Sequence, residues 1–184
     1  MKAVIDGVNE NDLIKKVQSG DENAMNLLIS DYYHSVFAYF YKNTNKYHQS
    51  KDLTQEVFIK MVSGISKYKS KASFKSWLFT IASNHLKNYY RSRSRHPEHL
   101  DFSEDIPINE PIISRMEIIA DISQALVNLP PEQKETIILR FYNDFSIKEI
   151  SKITGAKETT VKARIRYGLE KLEKELEGYD ENGK

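Results

Sequence analysis

Two segments of the sequence carry side chains that could bind nucleic acid, and the first is KNYYRSRSR (87–95). It interleaves four cations with Tyr89 and Tyr90. Lysine and arginine neutralise phosphates, and aromatic rings stack on unpaired bases. The alternative interpretation is a solvated, charged helix end, which is common.

The second segment is FSIKEISKITGAKETTVKARIRYGL (145–169), which has helix-turn-helix spacing. A capping-box pattern starts at Ser146, Gly155 suits a turn, and a longer helix with basic residues follows. Helical phase predicts an apolar side made of Val161, Ile165, Leu169 and Leu172. It predicts an opposite side with Thr159, Ala163, Arg166 and Tyr167, flanked by Lys162 and Arg164. Such a helix suits the DNA major groove, or it is an amphipathic helix facing solvent.

A third candidate is a polar face on the predicted helix 48–65. Leu53, Val57 and Met61 recur every four residues and predict one buried stripe. A second face of the same predicted helix carries Asp52, Gln55, Glu56 and Ile59. From the residues alone, this face is either plain solvent surface or a docking site.

Catalytic chemistry finds little support in the sequence. There is no cysteine, which excludes disulfides and thiolate metal sites. His96 and His99 are three residues apart, but they lie in a proline-containing stretch without supporting ligands. There is no phosphate-binding glycine loop or nucleophile elbow. We therefore predict no catalytic residues, no metal and no cofactor.

The elements that position these residues are all predicted to be helices. In the first part of the chain, apolar periodicity predicts helices near 10–18, 21–43, 48–65 and 73–94, with Asp21 as an N-cap and Phe74, Trp77, Leu78 and Ile81 facing inward. In the second part it predicts helices near 114–128, 131–142, 146–154 and 157–176. The fold class is therefore all-α, with two small helical domains.

Charge divides the chain in the same way. Residues 1–96 have a net charge of +7, whereas residues 97–113 contain five acids and no lysine or arginine. Three prolines in the segment 97–111 argue against a helix there. We predict domains at 1–96 and 114–184, joined by a flexible acidic linker at 97–113. We expect no signal peptide and no membrane insertion, because no apolar run is long enough.

Several of these segments, in order, resemble the sigma-70 family of transcription initiation factors, in particular its small extracytoplasmic-function (ECF) group. SGDENAMNLLISDYYHSVFAYFY (19–41) is similar to region 2.1 of that family, and SKDLTQEVFIKM (50–61) to region 2.2. FKSWLFTIASNHLKNYYRSRSR (74–95) resembles regions 2.3 and 2.4. The segment 125–165, which begins ALVNLPPEQKE, resembles region 4.

The resemblance implies roles for the three candidate surfaces. The clamp of the largest polymerase subunit would be bound by Asp52, Leu53, Gln55, Glu56 and Ile59. The −10 promoter element would be recognised and melted by Ser66, Lys67, Lys69, Lys71, Trp77, Asn84, Lys87, Asn88, Arg91 and Arg93. Asn84 falls where the family often reads an extruded base. The −35 element would be bound by Lys157, Thr159, Thr160, Lys162, Ala163, Arg164, Arg166 and Tyr167.

The resemblance also implies partners and a setting. The chain would bind core RNA polymerase through its clamp and flap, bind promoter DNA, and be regulated by an anti-sigma factor, as in a stress response. It would act in the bacterial cytoplasm and would not be an enzyme, because polymerase supplies the chemistry. Two alternatives stay open: a helix-turn-helix regulator that binds an operator without polymerase, and a helical adaptor that binds only protein.

Overall fold

A computed structural model describes residues 9–69, 73–95 and 125–182, with side chains up to residue 175. The predicted linker, most of the predicted helix 114–128 and Lys71 lie outside these residues. Within them, the secondary structure is helical throughout, so the predicted all-α class is confirmed.

The N-terminal module contains four α-helices within the described residues: α1 (Glu10–Gln18), α2 (Glu22–Thr44), α3 (Tyr47–Gly64) and α4 (Phe74–Arg95). Asp21 begins α2 by accepting a hydrogen bond from the amide of Ala24 at 3.0 Å, as predicted. Asn45 ends α2 in the left-handed conformation, with φ of 55°. A short 3-10 helix (Ile65–Lys67) follows α3. Side chains of all four helices meet in one apolar core.

The C-terminal module contains α5 (Pro131–Ile137), α6 (Ile147–Thr154) and α7 (Glu158–Asn182). The capping box at Ser146 and Glu149 is present, and Gly155 ends α6 with φ of 72°, as the sequence predicts. The helices α6 and α7 thus form the predicted helix-turn-helix.

Two features of this module differ from the sequence expectation. The segment predicted as helix 131–142 changes to a π-helix at Ile138–Tyr142. Leu169, predicted on the apolar side of α7, is 42% exposed. The buried stripe passes instead through Gly168, where a Cβ atom would lie only 2.5 Å from Cδ1 of Ile137. The close approach of α5 and α7 centres the contact on Gly168 and leaves Leu169 at its edge.

The two modules pack against each other. The helix α6 lies on α4, and α5 with its π-helical extension lies on α2. Phe79 of α4 meets Phe145, which precedes α6, with ring centroids 5.1 Å apart. The buried apolar cluster therefore continues from one module into the other.

Candidate functional site

The polar face of α3 points into solvent. Asp52, Gln55 and Glu56 are exposed, and Ile59 has 69% of its surface exposed. Leu53 is buried, with only 5% exposed, so its side chain supports the helix from the core side. An exposed isoleucine beside carboxylates gives this face an apolar centre with acidic neighbours.

This acidic face is tied to α4 by one contact. Nδ1 of His85 lies 2.9 Å from a carboxylate oxygen of Glu56. The contact joins the helix expected to bind polymerase to the helix expected to bind the −10 element. It fixes the orientation of the Glu56 carboxylate while leaving that side chain 57% exposed.

Between α3 and α4, the predicted −10 residues Ser66, Lys67 and Lys69 are exposed. Trp77 is half-buried and packs against Tyr68 and Phe74, with ring centroids 5.1 Å and 5.5 Å apart. The indole therefore belongs to the edge of the core in this conformation, with part of its surface open.

The basic end of α4 is divided between solvent and the second module. Asn84, Asn88 and Arg91 are exposed. Arg93 is partly buried and donates a hydrogen bond to the hydroxyl of Tyr89 at 3.1 Å. Lys87 is turned toward the C-terminal module, where its ammonium donates to the carbonyl of Thr154 at 2.6 Å.

On α7, most of the predicted −35 residues face solvent. The exposed ones are Lys157, Thr159, Thr160, Lys162, Arg166 and Tyr167. Arg166 lies 4.6 Å above the ring of Tyr167 and 3.8 Å from the carboxylate of Glu170. Ala163 and Arg164 are partly buried, and Arg164 faces the junction with the N-terminal module.

The centre of that junction is Glu135 of α5, which is only 4% exposed. Its Oε1 atom accepts hydrogen bonds from the hydroxyls of Tyr39 at 2.8 Å and Ser83 at 2.6 Å. Tyr39 lies on α2 and Ser83 on α4, so both donors belong to the other module. Burial raises the pKa of the Glu135 carboxyl, although the two donors and the nearby cations Lys87 and Arg164 act in the opposite direction.

Sequence reasoning missed Glu135 as a site residue. It follows Pro130 and Pro131 in the first turns of a helix, where an acidic side chain ordinarily faces solvent and interacts with the helix dipole. No spacing rule indicates that two hydroxyls from another module bind it. The residue pair Tyr39 and Ser83 carried no signal either, because a tyrosine and a serine within apolar stripes are read as core.

Comparison with known proteins assigns both modules to families. A model of sigma-70 region 2 matches residues 28–96, and a model of sigma-70 region 4 matches residues 119–172. The ECF RNA polymerase sigma-E factor of Haemophilus influenzae is 30% identical over 180 residues, covering 90% of this chain and 94% of that protein. The chain belongs to the sigma-70 family. It is an ECF-type sigma factor, which directs RNA polymerase in promoter recognition and transcription initiation.

Other relatives support the same assignment. The RNA polymerase sigma-H factor of Pseudomonas aeruginosa is 29% identical over 178 residues, covering 90% of this chain and 92% of the relative. Among solved structures, the sigma factor RpoE of Bartonella quintana, crystallised with the anti-sigma factor NepR, has a TM-score of 0.70 and 25% identity. It covers 83% of this chain and 96% of that one. CnrH, solved with the cytosolic domain of CnrY, shares the fold with a TM-score of 0.69 at 20% identity, covering 90% of this chain and 96% of that one.

Further polar contacts cross the junction between region 2 and region 4 of this sigma factor. The ammonium of Lys75 donates to the carbonyl of Asn143 at 2.5 Å and lies 4.8 Å from the ring of Phe145. The hydroxyl of Ser76 donates to Glu149 at 3.2 Å. Burial lowers the pKa of Lys75, and the carboxylates of Asp144 and Glu149 partly compensate. The junction of the sigma factor is thus more polar than the interior of its modules.

The junction also contains buried polar atoms without a hydrogen-bond partner among the described residues. They include Nζ of Lys42 and Oδ1 of Asn143. Lys42 instead lies 4.0 Å above the ring of Tyr142, and burial lowers its pKa. An unsatisfied buried polar group costs about 1–3 kcal/mol. The contact between the two regions is therefore weaker than its buried apolar area alone would indicate.

Beside Glu135, a cleft of about 510 Å³ opens between the two regions. The basic half of α4 forms one wall, and the start of α5, the turn after α6 and Arg164 form the other. Lys87, Arg91 and Arg164 all line it. Cations expected to contact two different promoter elements therefore face one cleft.

The described residues of the sigma factor contain neither a membrane-spanning helix nor a cluster of metal-binding side chains. No helix there is both long and apolar enough to cross a membrane. Across residues 9–69, 73–95 and 125–175, no three histidine or acidic side chains are grouped as metal ligands would be.

Proposed function

We propose that this sigma factor divides its work among three surfaces: α3 docks on core polymerase, α4 handles the −10 element and α7 reads the −35 element. The observation that carries the proposal is the exposure of a mixed acidic and apolar face on α3 in a region that matches sigma-70 region 2. A separate helix, α7, whose first turns carry Lys162, Arg164 and Arg166, lies in the matched region 4.

The polymerase-docking face consists of Asp52, Gln55, Glu56 and Ile59. The exposed side chain of Ile59 supplies an apolar contact that can be fully desolvated, and such anchors dominate binding energies. The two carboxylates, Asp52 and Glu56, favour a basic partner surface through charge complementarity. Leu53 contributes indirectly, by fixing α3 to the core.

For the −10 element, exposed groups on α4 and before it are the candidates. Asn84 carries an amide that can hydrogen-bond a base edge, and it lies two turns before the cations of the helix end. Arg91 and Arg93 would hold the phosphate backbone. Flipping a base out of the stack costs a few kcal/mol, which pocket hydrogen bonds and stacking on aromatic rings would offset.

For the −35 element, the exposed residues at the start of α7 are the candidates. Thr159, Lys162 and Arg166 point away from the module core, as a recognition helix in the major groove requires. Arg164 lies on the flank and would become available once the junction opens. Domain limits at 1–96 and 114–184 are proposed with these roles.

The setting follows from the same proposal. The chain acts with polymerase in the bacterial cytoplasm, has no enzymatic activity of its own, and is held inactive by an anti-sigma factor. The RpoE structure that it resembles was solved in complex with such a factor. An operator-binding regulator would leave the region 2 match over residues 28–96 without a role. A protein-only adaptor would leave the basic helix end and α7 without one.

Promoter-directed transcription tests the proposal. Purified chain is added to sigma-free core polymerase with a genomic library of promoter fragments, and transcript 5′ ends are sequenced. We expect a small set of start sites preceded by shared −35 and −10 sequences. Start sites identical to those of core polymerase alone would refute the proposed function.

A further inference from the structure

The closed packing of the two modules hides cations that DNA binding needs. Lys87 is engaged by the carbonyl of Thr154, and Arg91 and Arg164 line the same cleft. A cleft of a few hundred Å³ can hold a drug-sized molecule. It is too small to admit a DNA duplex, whose major groove alone is about 12 Å wide. In the closed chain Lys87 and Arg164 are therefore held at the junction and are not free to contact a duplex, whereas Arg91 at the rim of the cleft is exposed.

Glu135 is the group best placed to hold this arrangement. It is nearly fully buried, and in the described part of the chain both of its hydrogen bonds come from the opposite module. Removing those hydroxyls would leave a buried carboxylate without partners, which is strongly unfavourable. In an open chain, water would solvate the carboxylate instead. Among the described residues, the Glu135 side chain makes no hydrogen bond within its own module, so it stabilises the closed form specifically.

We propose that Glu135 is an interdomain latch that keeps the free sigma factor closed, with the cations Lys87 and Arg164 turned toward the junction and away from DNA until the modules separate. The proposal rests on the DNA-binding roles given above for these cations. It makes the free chain a poor DNA binder for a conformational reason, in addition to the small size of each surface. Apparent affinity then scales with the open fraction, so a chain that is open about one tenth of the time binds about tenfold more weakly.

The rest of the junction combines apolar packing with polar contacts that water can replace. Lys42 and Asn143 leave buried polar atoms unpaired there. Lys75 and Lys87 bind main-chain carbonyls of the C-terminal module, and water can replace such carbonyls. A partner that binds the modules only when they are apart must overcome the apolar packing of Phe79 on Phe145 as well as these polar contacts.

The latch can be tested by distance in the full chain, because the sequence contains no cysteine. Donor and acceptor dyes are attached through Asn26→Cys on α2 and Glu173→Cys on α7, both exposed positions. Glu135→Ala removes the acceptor. Glu135→Gln removes the charge equally but keeps an oxygen that accepts from Tyr39 and Ser83. Glu132→Ala removes an exposed carboxylate one turn away on the same helix.

We expect Glu135→Ala to lower energy transfer, and Glu135→Gln and Glu132→Ala to retain it. With a short duplex of mixed sequence as the probe, Glu135→Ala should bind up to about tenfold more tightly than either control. Circular dichroism checks that helix content is kept. If Glu135→Ala does not fold, Ser83→Ala removes one donor from the other module and should lower energy transfer partially.

Unchanged energy transfer in folded Glu135→Ala and Ser83→Ala chains would overturn the latch. If Glu135→Ala opens the chain but binds the duplex no more tightly than Glu132→Ala does, the claim that closure hides the cations is overturned. These outcomes are separate from the transcription test: a chain that fails to direct polymerase loses its proposed function, whereas the distance measurement still reports whether Glu135 closes it.

Discussion

The core of the N-terminal module and the junction between the modules bury side chains in different ways. In the core, Val57, Met61 and Leu78 are fully buried among apolar neighbours. At the junction, the buried groups include the carboxylate of Glu135 and the ammonium of Lys42. Apolar side chains lose free energy of burial when they are exposed to water. Carboxylate and ammonium groups, in contrast, are well solvated when they are exposed. The core is therefore built to stay assembled, whereas the junction adds to its apolar packing polar groups that water can solvate when the modules separate.

The largest effect is expected in the core. Met61→Ala removes a side chain that is 0% exposed and should lower the free energy of unfolding by about 2–5 kcal/mol. Val62→Ala, at the neighbouring position, which is 46% exposed, should change it by about 0.5 kcal/mol or less. Urea unfolding followed by circular dichroism measures both. Equal losses from the two variants would contradict the description of α3 as buried on one side only.

A smaller effect is expected on the solvent face of the same helix. The double variant Asp52→Lys and Glu56→Lys should leave stability nearly unchanged and weaken binding to core polymerase by about tenfold, or about 1.4 kcal/mol. The physical reason is the loss of charge complementarity at an exposed docking face. Glu173→Lys is the control, because it reverses an exposed acid away from α3. Fluorescence anisotropy with labelled chain measures the affinity, and equal affinities for wild type and the double variant would argue against this face.

At the junction, replacing the unpaired ammonium should strengthen the contact. Lys42→Met keeps the stem of the side chain over Tyr142 but removes a buried donor without a partner in the described residues. We expect the closed form to gain about 1 kcal/mol. The same dye pair detects this as higher energy transfer in mild denaturant. A shift toward the open form would mean that the contact of the ammonium with the ring outweighs its desolvation.

The smallest effect is a dependence of closure on pH. Burial raises the pKa of Glu135 in the closed form above the ordinary value of 4.5, which an opened, solvated carboxyl regains. The closed form thus binds the proton more tightly, so closure is favoured at low pH and weakens as pH rises through the raised pKa. The titratable and charged groups that face Glu135 are Tyr39 on α2, Lys87 and Tyr90 on α4, Arg164 on α7 and Glu132 on α5. Energy transfer should rise on acidification in wild type and stay flat in Glu135→Gln; equal slopes would assign the titration to another group.

Much of the fold was accessible from sequence because local rules decided it. Asp21, Ser146 and Gly155 cap helices by contacts within a few residues, and Leu53, Val57 and Met61 share a face by periodicity alone. The exposure of Asp52, Gln55, Glu56 and Ile59 followed from the same phase.

Other features depended on contacts between distant segments. The buried position of Glu135 requires Tyr39 and Ser83, which lie 96 and 52 residues away along the chain. The exposure of Leu169 follows from the close approach of Gly168 to Ile137, which helical phase does not include. Nor did any local pattern predict the π-helical turn at Ile138–Tyr142 that precedes the recognition motif.

The distance between the two modules during polymerase binding shows whether the free chain is closed and the polymerase-bound chain is open. The chain labelled at Asn26→Cys and Glu173→Cys is titrated with core polymerase while energy transfer and promoter-directed transcription are followed in parallel. We expect high energy transfer in the free chain and a fall that tracks polymerase occupancy and transcript yield. Transfer that stays at the free-chain value in a transcribing complex would contradict this expectation.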